Sequence, residues 1–157
     1  MNSSISNDRE MKTALQGLDA IQQRLIGAQL VESVMDLCND ERLRSVLNSA
    51  LDAEADADRL GLAQKTVKQA VLDSHARCGA AGDWQDQATY FVGRALHACL
   101  SPQVLKEGKS PAWQAALSCR MARTSAAIDQ TDEQEDSSPA QETTRQYVIL
   151  SRFLENL

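Results

Sequence analysis

The sequence predicts an all-α protein, a single-domain bundle or irregular array of five to seven helices. Apolar residues recur at three- and four-residue spacing through most of the chain, which places them on one face of each helix. Alternating runs of β-branched residues are absent, and aromatic residues make up only 4% of the composition. A length of 157 residues fits one domain with a sizeable core.

Two amphipathic patterns between residues 83 and 128 predict the central helices, an αα-hairpin. Asp83 supplies an N-cap for the first helix, and Asp86 adds negative charge to its opening turn. The predicted buried face of this helix holds Trp84, Ala88, Phe91, Val92, Ala95 and Cys99. The predicted buried face of the second holds Trp113, Ala116, Leu117, either Arg120 or Met121, Thr124 and Ile128. Gly93 predicts close packing, with the second helix as the expected neighbour, and both tryptophans are expected to fill the core rather than stack on a ligand.

The N-terminal third begins with a polar segment, residues 1–7, that we expect to be a flexible tail; the helical domain then spans residues 8–157. From Asp8 a helical pattern carries Met11, Leu15, Leu18, Ile21 and Leu25. The spacing leaves open whether residues 8–38 form one bent helix or two shorter ones. Asn39-Asp40 is expected to end this pattern and to supply the N-cap of the next helix, whose buried face holds Leu43, Val46, Leu47, Ala50 and Leu51.

Two segments are strongly acidic. In the first, Asp52, Glu54, Asp56 and Asp58 alternate with alanines. We interpret this segment as a helix end that runs out into solvent, because alanine and aspartate are poor strand formers. The second is an exposed loop predicted at residues 129–138, whose acids are Asp129, Asp132, Glu133, Glu135 and Asp136.

Two further helices follow these acidic segments. One is expected after Gly61, with Ala63, Val67, Ala70, Val71 and His75 on its buried face. The last is expected to open with Ser138 as N-cap and Pro139 as first residue. Its predicted core stripe is Ala140, Thr144, Tyr147, Leu150, Leu154 and Leu157.

Histidine and cysteine are the residues whose spacing suggests chemistry. His75 and Cys78 lie one helical turn apart and can reach one ion, and Cys99 or Cys119 would complete a zinc site. A second ligand pair is absent, so small buried cysteines are favoured. His97 is a candidate general base, but no motif fixes a nucleophile beside it. We therefore expect no enzyme activity, no metal and no cofactor.

The distribution of charge favours a protein partner. The formal net charge is −6, and nine of the 22 acids fall in the two acidic segments; the other 13 would be outweighed by 16 Lys and Arg. Such local negative patches repel nucleic acid and anionic membranes and attract a basic protein surface, although clustered acids can also simply solvate loops. The start MNSSISNDREMK lacks the form of a signal peptide, and no run of about 20 apolar residues is present, so we expect a cytoplasmic protein.

The stretches GRALHACL and SPAWQAALSCRMA resemble the paired alanine-rich helices of small all-helical bacterial immunity proteins encoded beside polymorphic toxins. The matching positions are Gly93, Ala95, Ala112, Ala115, Ala116 and Cys119. The resemblance implies a protein that neutralises a cognate toxin by occluding its active site, with the two acidic segments as the favoured contacts. The alternatives are a helical adaptor or homo-oligomeric regulator, such as a homodimer, and, ranked below it, a metal-binding helical enzyme.

Overall fold

The computed structural model describes residues 4–81, 83–101, 110–128 and 139–157. Within these ranges the chain forms seven α-helices and no strand, which confirms the all-α prediction. The helices are α1 (Asp8–Gln16), α2 (Ala20–Glu32), α3 (Glu41–Leu51), α4 (Ala57–Ala81), α5 (Trp84–Leu100), α6 (Pro111–Ile128) and α7 (Pro139–Glu155), with a 3₁₀ turn at Met35–Leu37. None of these described helices is both long enough and apolar enough to cross a bilayer.

Side-chain caps set most of the helix starts. Asp40 accepts from the backbone N–H of Arg42 at 3.0 Å, and Asp83 accepts from that of Asp86 at 3.1 Å, as the sequence predicts. Asp19 forms a reciprocal capping box with Gln22, which starts α2 and resolves residues 8–38 into two helices. The new start changes the helical phase, so Ile21 is 53% exposed and its predicted burial is wrong.

Residues 4–7, part of the segment predicted as a flexible tail, contact the helical domain. The backbone N–H of Ile5 donates to Ser151 Oγ at 2.9 Å, and the Ile5 side chain packs on the core. Asn7 caps α1 by accepting from the N–H of Glu10 at 2.9 Å. These contacts attach the start of α1 to α7.

Helix α6 lies at the centre of the packing. It contacts α5 most extensively and also meets α2, α7 and α1, so the predicted α5–α6 contact is confirmed. Its buried face consists mainly of short side chains, Ala112, Ala115, Ala116, Cys119, Ala122 and Ala126. The stripe predicted from the larger residues is wrong at Leu117 and Met121, which are exposed, because a helix surrounded by several neighbours buries its short side chains.

Two glycines mark the closest approaches between helices. A Cβ atom built on Gly93 would lie 2.9 Å from Val71 Cγ2 of α4, so the predicted neighbour, α6, is wrong. A Cβ atom on Gly27 would lie 2.7 Å from Cys99 Sγ, with Ala112 and Ala115 of α6 just beyond. The tight junction of the core is therefore the crossing of α2 with α5 and α6.

Helix α7 starts at Pro139 as predicted, but its buried face differs from the predicted stripe. Glu142 and Gln146 are fully buried beside Leu150, whereas Ala140 and Thr144 are exposed. The predicted core residue Leu157 is also wrong, with 62% of its surface exposed, while Tyr147 and Leu154 pack partly against the core. Hydrophobic spacing fails here because this helix buries polar side chains.

Candidate functional site

The first predicted contact segment, residues 52–58, forms the turn between α3 and α4 together with the first two residues of α4, and we call it the acidic turn. The expected helix end running into solvent is wrong, because α3 ends at Leu51 and α4 already begins at Ala57. Asp52 accepts from the N–H of Glu54 at 2.9 Å and pairs with the guanidinium of Arg59. Asp56 accepts from the N–H of Arg59 at 2.8 Å, which caps α4.

A buried arginine anchors the backbone where α3 ends and the acidic turn begins. Arg24 of α2 is only 9% exposed, and it donates to the carbonyl oxygens of Ala50 at 3.2 Å and Asp52 at 2.6 Å. A cation at these carbonyls also suits the negative end of the α3 dipole. The backbone N–H of Glu54 and the guanidinium of Arg59 lower the pKa of Asp52, so the turn keeps its negative charge.

The four acids of the turn therefore divide into two kinds. Asp52 and Asp56 are used in capping and ion pairing within the chain. Glu54 and Asp58 are exposed, and in the described part of the structure neither carboxylate has a cation within ion-pairing distance. The acidic turn thus presents two outward carboxylates on a fixed backbone.

The other predicted contact residues, Asp129, Asp132, Glu133, Glu135 and Asp136, lie outside the described residues, as does the whole predicted loop at 129–138. The contact surface that the structure describes is therefore limited to the acidic turn.

The residues of the hypothetical zinc site lie in different environments. His75 is exposed and meets the ring of Tyr90 edge-on, with 5.4 Å between centroids, so its predicted burial is wrong. Cys99 and Cys119 are buried, and burial raises the pKa of Cys99 to about 12 and raises that of Cys119 as well. Across the residues that the structure describes, no three His, Cys, Asp or Glu side chains converge as a metal site would require.

Both tryptophans are partly buried and pack against the core. The face of Trp113 is covered by the chain's own cations, since Lys12 Nζ lies 4.9 Å and Arg120 Cζ 5.3 Å from the ring centroid. Trp113 therefore packs within the protein rather than forming an open platform for a ligand.

A buried ionic network joins α6 and α7 to the end of α2, and no sequence pattern indicates it. We call Ser33, Asp36, Arg123, Glu142 and Arg145 the polar core network. The Arg123 guanidinium reaches Glu142 at 3.4 Å, Asp36 at 3.1 Å and the carbonyl of Ser33 at 2.9 Å. Glu142 also lies 2.7 Å from the Ser33 hydroxyl and 2.6 Å from Arg145. Among the described residues every buried side-chain nitrogen and oxygen has a hydrogen-bond partner.

A second polar cluster ties α1 to the same two helices. Arg120 makes a bidentate pair with Asp8 at 2.8 and 3.0 Å and donates to Gln146 Oε1 at 2.8 Å. The hydroxyl of Tyr147 donates to Asp8 at 2.8 Å. The bonds from Arg120 and Tyr147 outweigh desolvation and lower the pKa of Asp8. Polar contacts thus fix how α1 and α7 dock on α6.

His97, the candidate general base, lies at the surface of α5 between two shallow depressions. The first, of about 330 Å³, is lined by residues of α5 and the start of α6, including Arg94 and Gln114. The second, of about 210 Å³, is lined by residues of α4, including Lys65 and Lys68, together with His97 and Ser101. Among the described lining residues of both depressions there is no cysteine, and the hydroxyl of Ser101 donates to the His97 carbonyl at 2.8 Å rather than to the imidazole. The described surroundings of His97 therefore hold cations and polar groups rather than an activated nucleophile.

No protein-family model matches the sequence, and neither a curated protein nor a solved structure is significantly similar to the chain. The support for a function comes from the contacts and charges of this chain itself.

Proposed function

We propose that this chain is an immunity-type binding protein, which neutralises a cognate toxin by covering its active site with an acidic surface. The observation that carries the proposal is the acidic turn, where Glu54 and Asp58 expose two carboxylates, without an ion-pair partner among the described residues, on a capped and anchored backbone. The resemblance of the α5 and α6 sequences to immunity proteins suggests that the partner is a toxin.

The rigidity of the acidic turn supports a role in binding. Arg24 fixes the carbonyls on one side of the turn, and Asp56 caps the helix on the other. A surface that is already ordered loses little conformational entropy when a partner binds, so more of the interaction energy appears as affinity. Asp52 and Asp56 therefore act through the shape of the turn, and Glu54 and Asp58 supply the charge that meets the partner.

The charge of the chain supports a basic partner. Without its two acidic segments the protein would carry three more Lys and Arg than acids. Negative charge concentrated at one turn steers a basic surface toward that turn and fixes its orientation on contact. The active sites of enzymes that cleave nucleic acid are typically basic, because they bind a polyanion, and such an enzyme fits the proposed partner.

Mixing the purified chain with the protein encoded by the adjacent gene tests the proposal. We expect a stoichiometric complex by size-exclusion chromatography with light scattering, and loss of the partner's toxic or enzymatic activity in that complex. The matched control is an unrelated basic protein of similar size and charge, which should show neither effect at physiological salt because screening weakens non-specific attraction. Absence of a complex, or a complex that leaves the partner fully active, would refute neutralisation.

The same samples distinguish the alternatives. A homo-oligomeric regulator would form a stable dimer when the chain is alone, which sedimentation equilibrium measures directly. A metalloenzyme would contain a stoichiometric metal by elemental analysis. For an immunity-type protein we expect the larger complex to form only when the partner is added.

A further inference from the structure

A cationic groove crosses the C-terminal end of α5, on a protein whose net charge is −6. The two depressions beside His97 share both His97 and Ser101, so they adjoin each other on this surface, one beside α4 and the other beside the start of α6. We call this the His97 groove and define it by Lys65, Lys68, Arg94, His97, Ser101, Gln114 and Ser118.

Among the described residues, the lining of the groove carries positive charge only. Lys65 and Lys68 lie on the α4 side and Arg94 on the α5 side, and none of the described lining residues is a carboxylate. Within the described residues none of these three cations forms an ion pair; Arg94 instead donates to the hydroxyl of Tyr90 at 2.8 Å and stacks on its ring at 5.7 Å. That contact holds the guanidinium in place while leaving its charge available to a ligand.

The pKa of the His97 imidazole reflects both its partial burial and the neighbouring positive charges. Desolvation, then Arg94 and Lys68, lower the pKa of His97 below its usual value. The groove residues from α6, Gln114 and Ser118, are uncharged, and Lys65 on α4 adds a further positive charge. An anion placed in the groove would relieve this repulsion and could accept a hydrogen bond from the protonated ring.

We propose that the His97 groove binds a small phosphorylated molecule with a polar, hydroxyl-bearing body. Arg94 lines one depression and Lys68 the other, and His97 lines both, so a phosphate beside His97 has positive charge on either side. The hydroxyls of Ser101 and Ser118 and the amide of Gln114 provide hydrogen-bonding partners for the rest of the molecule. The depression beside α6, of about 330 Å³, has room for a body of that size. This site is independent of the acidic turn and of the proposed partner.

An NMR titration of the two histidines tests the proposal on the full chain. The probes are inorganic phosphate, glycerol 3-phosphate and ribose 5-phosphate, with ribose as the uncharged control. Saturating ribose 5-phosphate should raise the pKa of His97 by about one unit, because a bound anion stabilises the imidazolium. His75, the other histidine of the chain, lies outside both depressions, and its ring resonances should not change when the ligand is added.

Variants locate the binding. Arg94→Gln and Lys68→Gln should each weaken binding of ribose 5-phosphate about tenfold, through loss of one charge-assisted contact. Arg44→Gln on α3 removes the same charge at a site outside the groove and should leave affinity unchanged within twofold. An unchanged His97 pKa, an equal loss in all three variants, or binding of inorganic phosphate with no gain from the sugar would overturn the proposal.

Discussion

Replacing Arg123 with methionine should lower the free energy of unfolding by about 3 kcal/mol, because it removes the central cation of the polar core network. The side chain of Arg123 is 5% exposed and that of Glu142 is fully buried, so the loss leaves a buried carboxylate short of one cation. Glu142 keeps Arg145 and the hydroxyl of Ser33, which is why the expected loss is at the lower end of the range for a broken buried pair. Urea denaturation followed by circular dichroism measures the change.

Two further variants show whether the loss comes from the buried charge. Asp36→Asn removes a partner of Arg123 whose side chain is 63% exposed, so we expect a loss below about 1 kcal/mol. The double variant Arg123→Met and Glu142→Leu replaces the buried pair with apolar groups and should regain most of the stability lost by the single change. An Arg123→Met protein as stable as the parent would show that the network contributes little to the docking of α7.

Replacing Gly27 with alanine should lower the free energy of unfolding by about 1–3 kcal/mol, despite the higher helix propensity of alanine. The added methyl group would lie 2.7 Å from Cys99 Sγ, with Ala112 Cα at 3.6 Å and Ala115 Cβ at 3.7 Å. Cys99 is buried, so the sulfur can move only by disturbing the packing of α5. Thermal and urea unfolding of the purified variant measure the loss.

Gly61→Ala is the matched control. Gly61 also lies within a helix, α4, but apart from its chain neighbours and the helix's own backbone no atom of the described residues lies within 4 Å of a Cβ built there. The same substitution should therefore raise the unfolding free energy by about 0.5–1 kcal/mol. Adding Cys99→Ala to Gly27→Ala removes the atom in closest contact, so the double variant should be more stable than the sum of the two single changes predicts. Strict additivity would contradict the contact that we describe.

The sequence predicts the helices better than it predicts their buried faces. Caps act within one turn of the chain, so Asp40 and Asp83 can be identified from local sequence. The buried face of α6 depends on how many helices surround it, so exposed Leu117 and buried Ala122 cannot be assigned from periodicity alone.

Prediction of burial from the sequence fails most often at buried polar residues, because their hydrogen-bond partners are distant in the sequence. Gln23 accepts from Ser110 Oγ and, at 3.2 Å, from the N–H of Ala112, nearly 90 residues further along the chain. Glu142 depends in the same way on Ser33, 109 residues before it. Only the folded chain brings these groups together, so nothing in the local pattern distinguishes them from surface residues.

For the candidate sites, too, local sequence reveals the charged residues but not their arrangement in the folded chain. The sequence identifies the negative charge of residues 52–58 but not their shape, because the support by Arg24 requires α2 to be packed beside the turn. The His97 groove has cations on α4 and α5, and the spacing of Lys68 and Arg94 in the sequence gives no sign that both lie near His97.

The central claim is that Glu54 and Asp58 of the acidic turn contact a basic partner, and the association rate constant measures this most directly. The variant Glu54→Lys with Asp58→Asn should bind the adjacent-gene protein at least about tenfold more slowly at low salt, because steering by the acidic turn is lost. The matched control is Glu155→Lys with Glu41→Gln, an equal change of charge in which Glu41 occupies the first turn of α3 as Asp58 does that of α4. We predict a control rate within about twofold of the parent; equal rates for the two variants would contradict the claim.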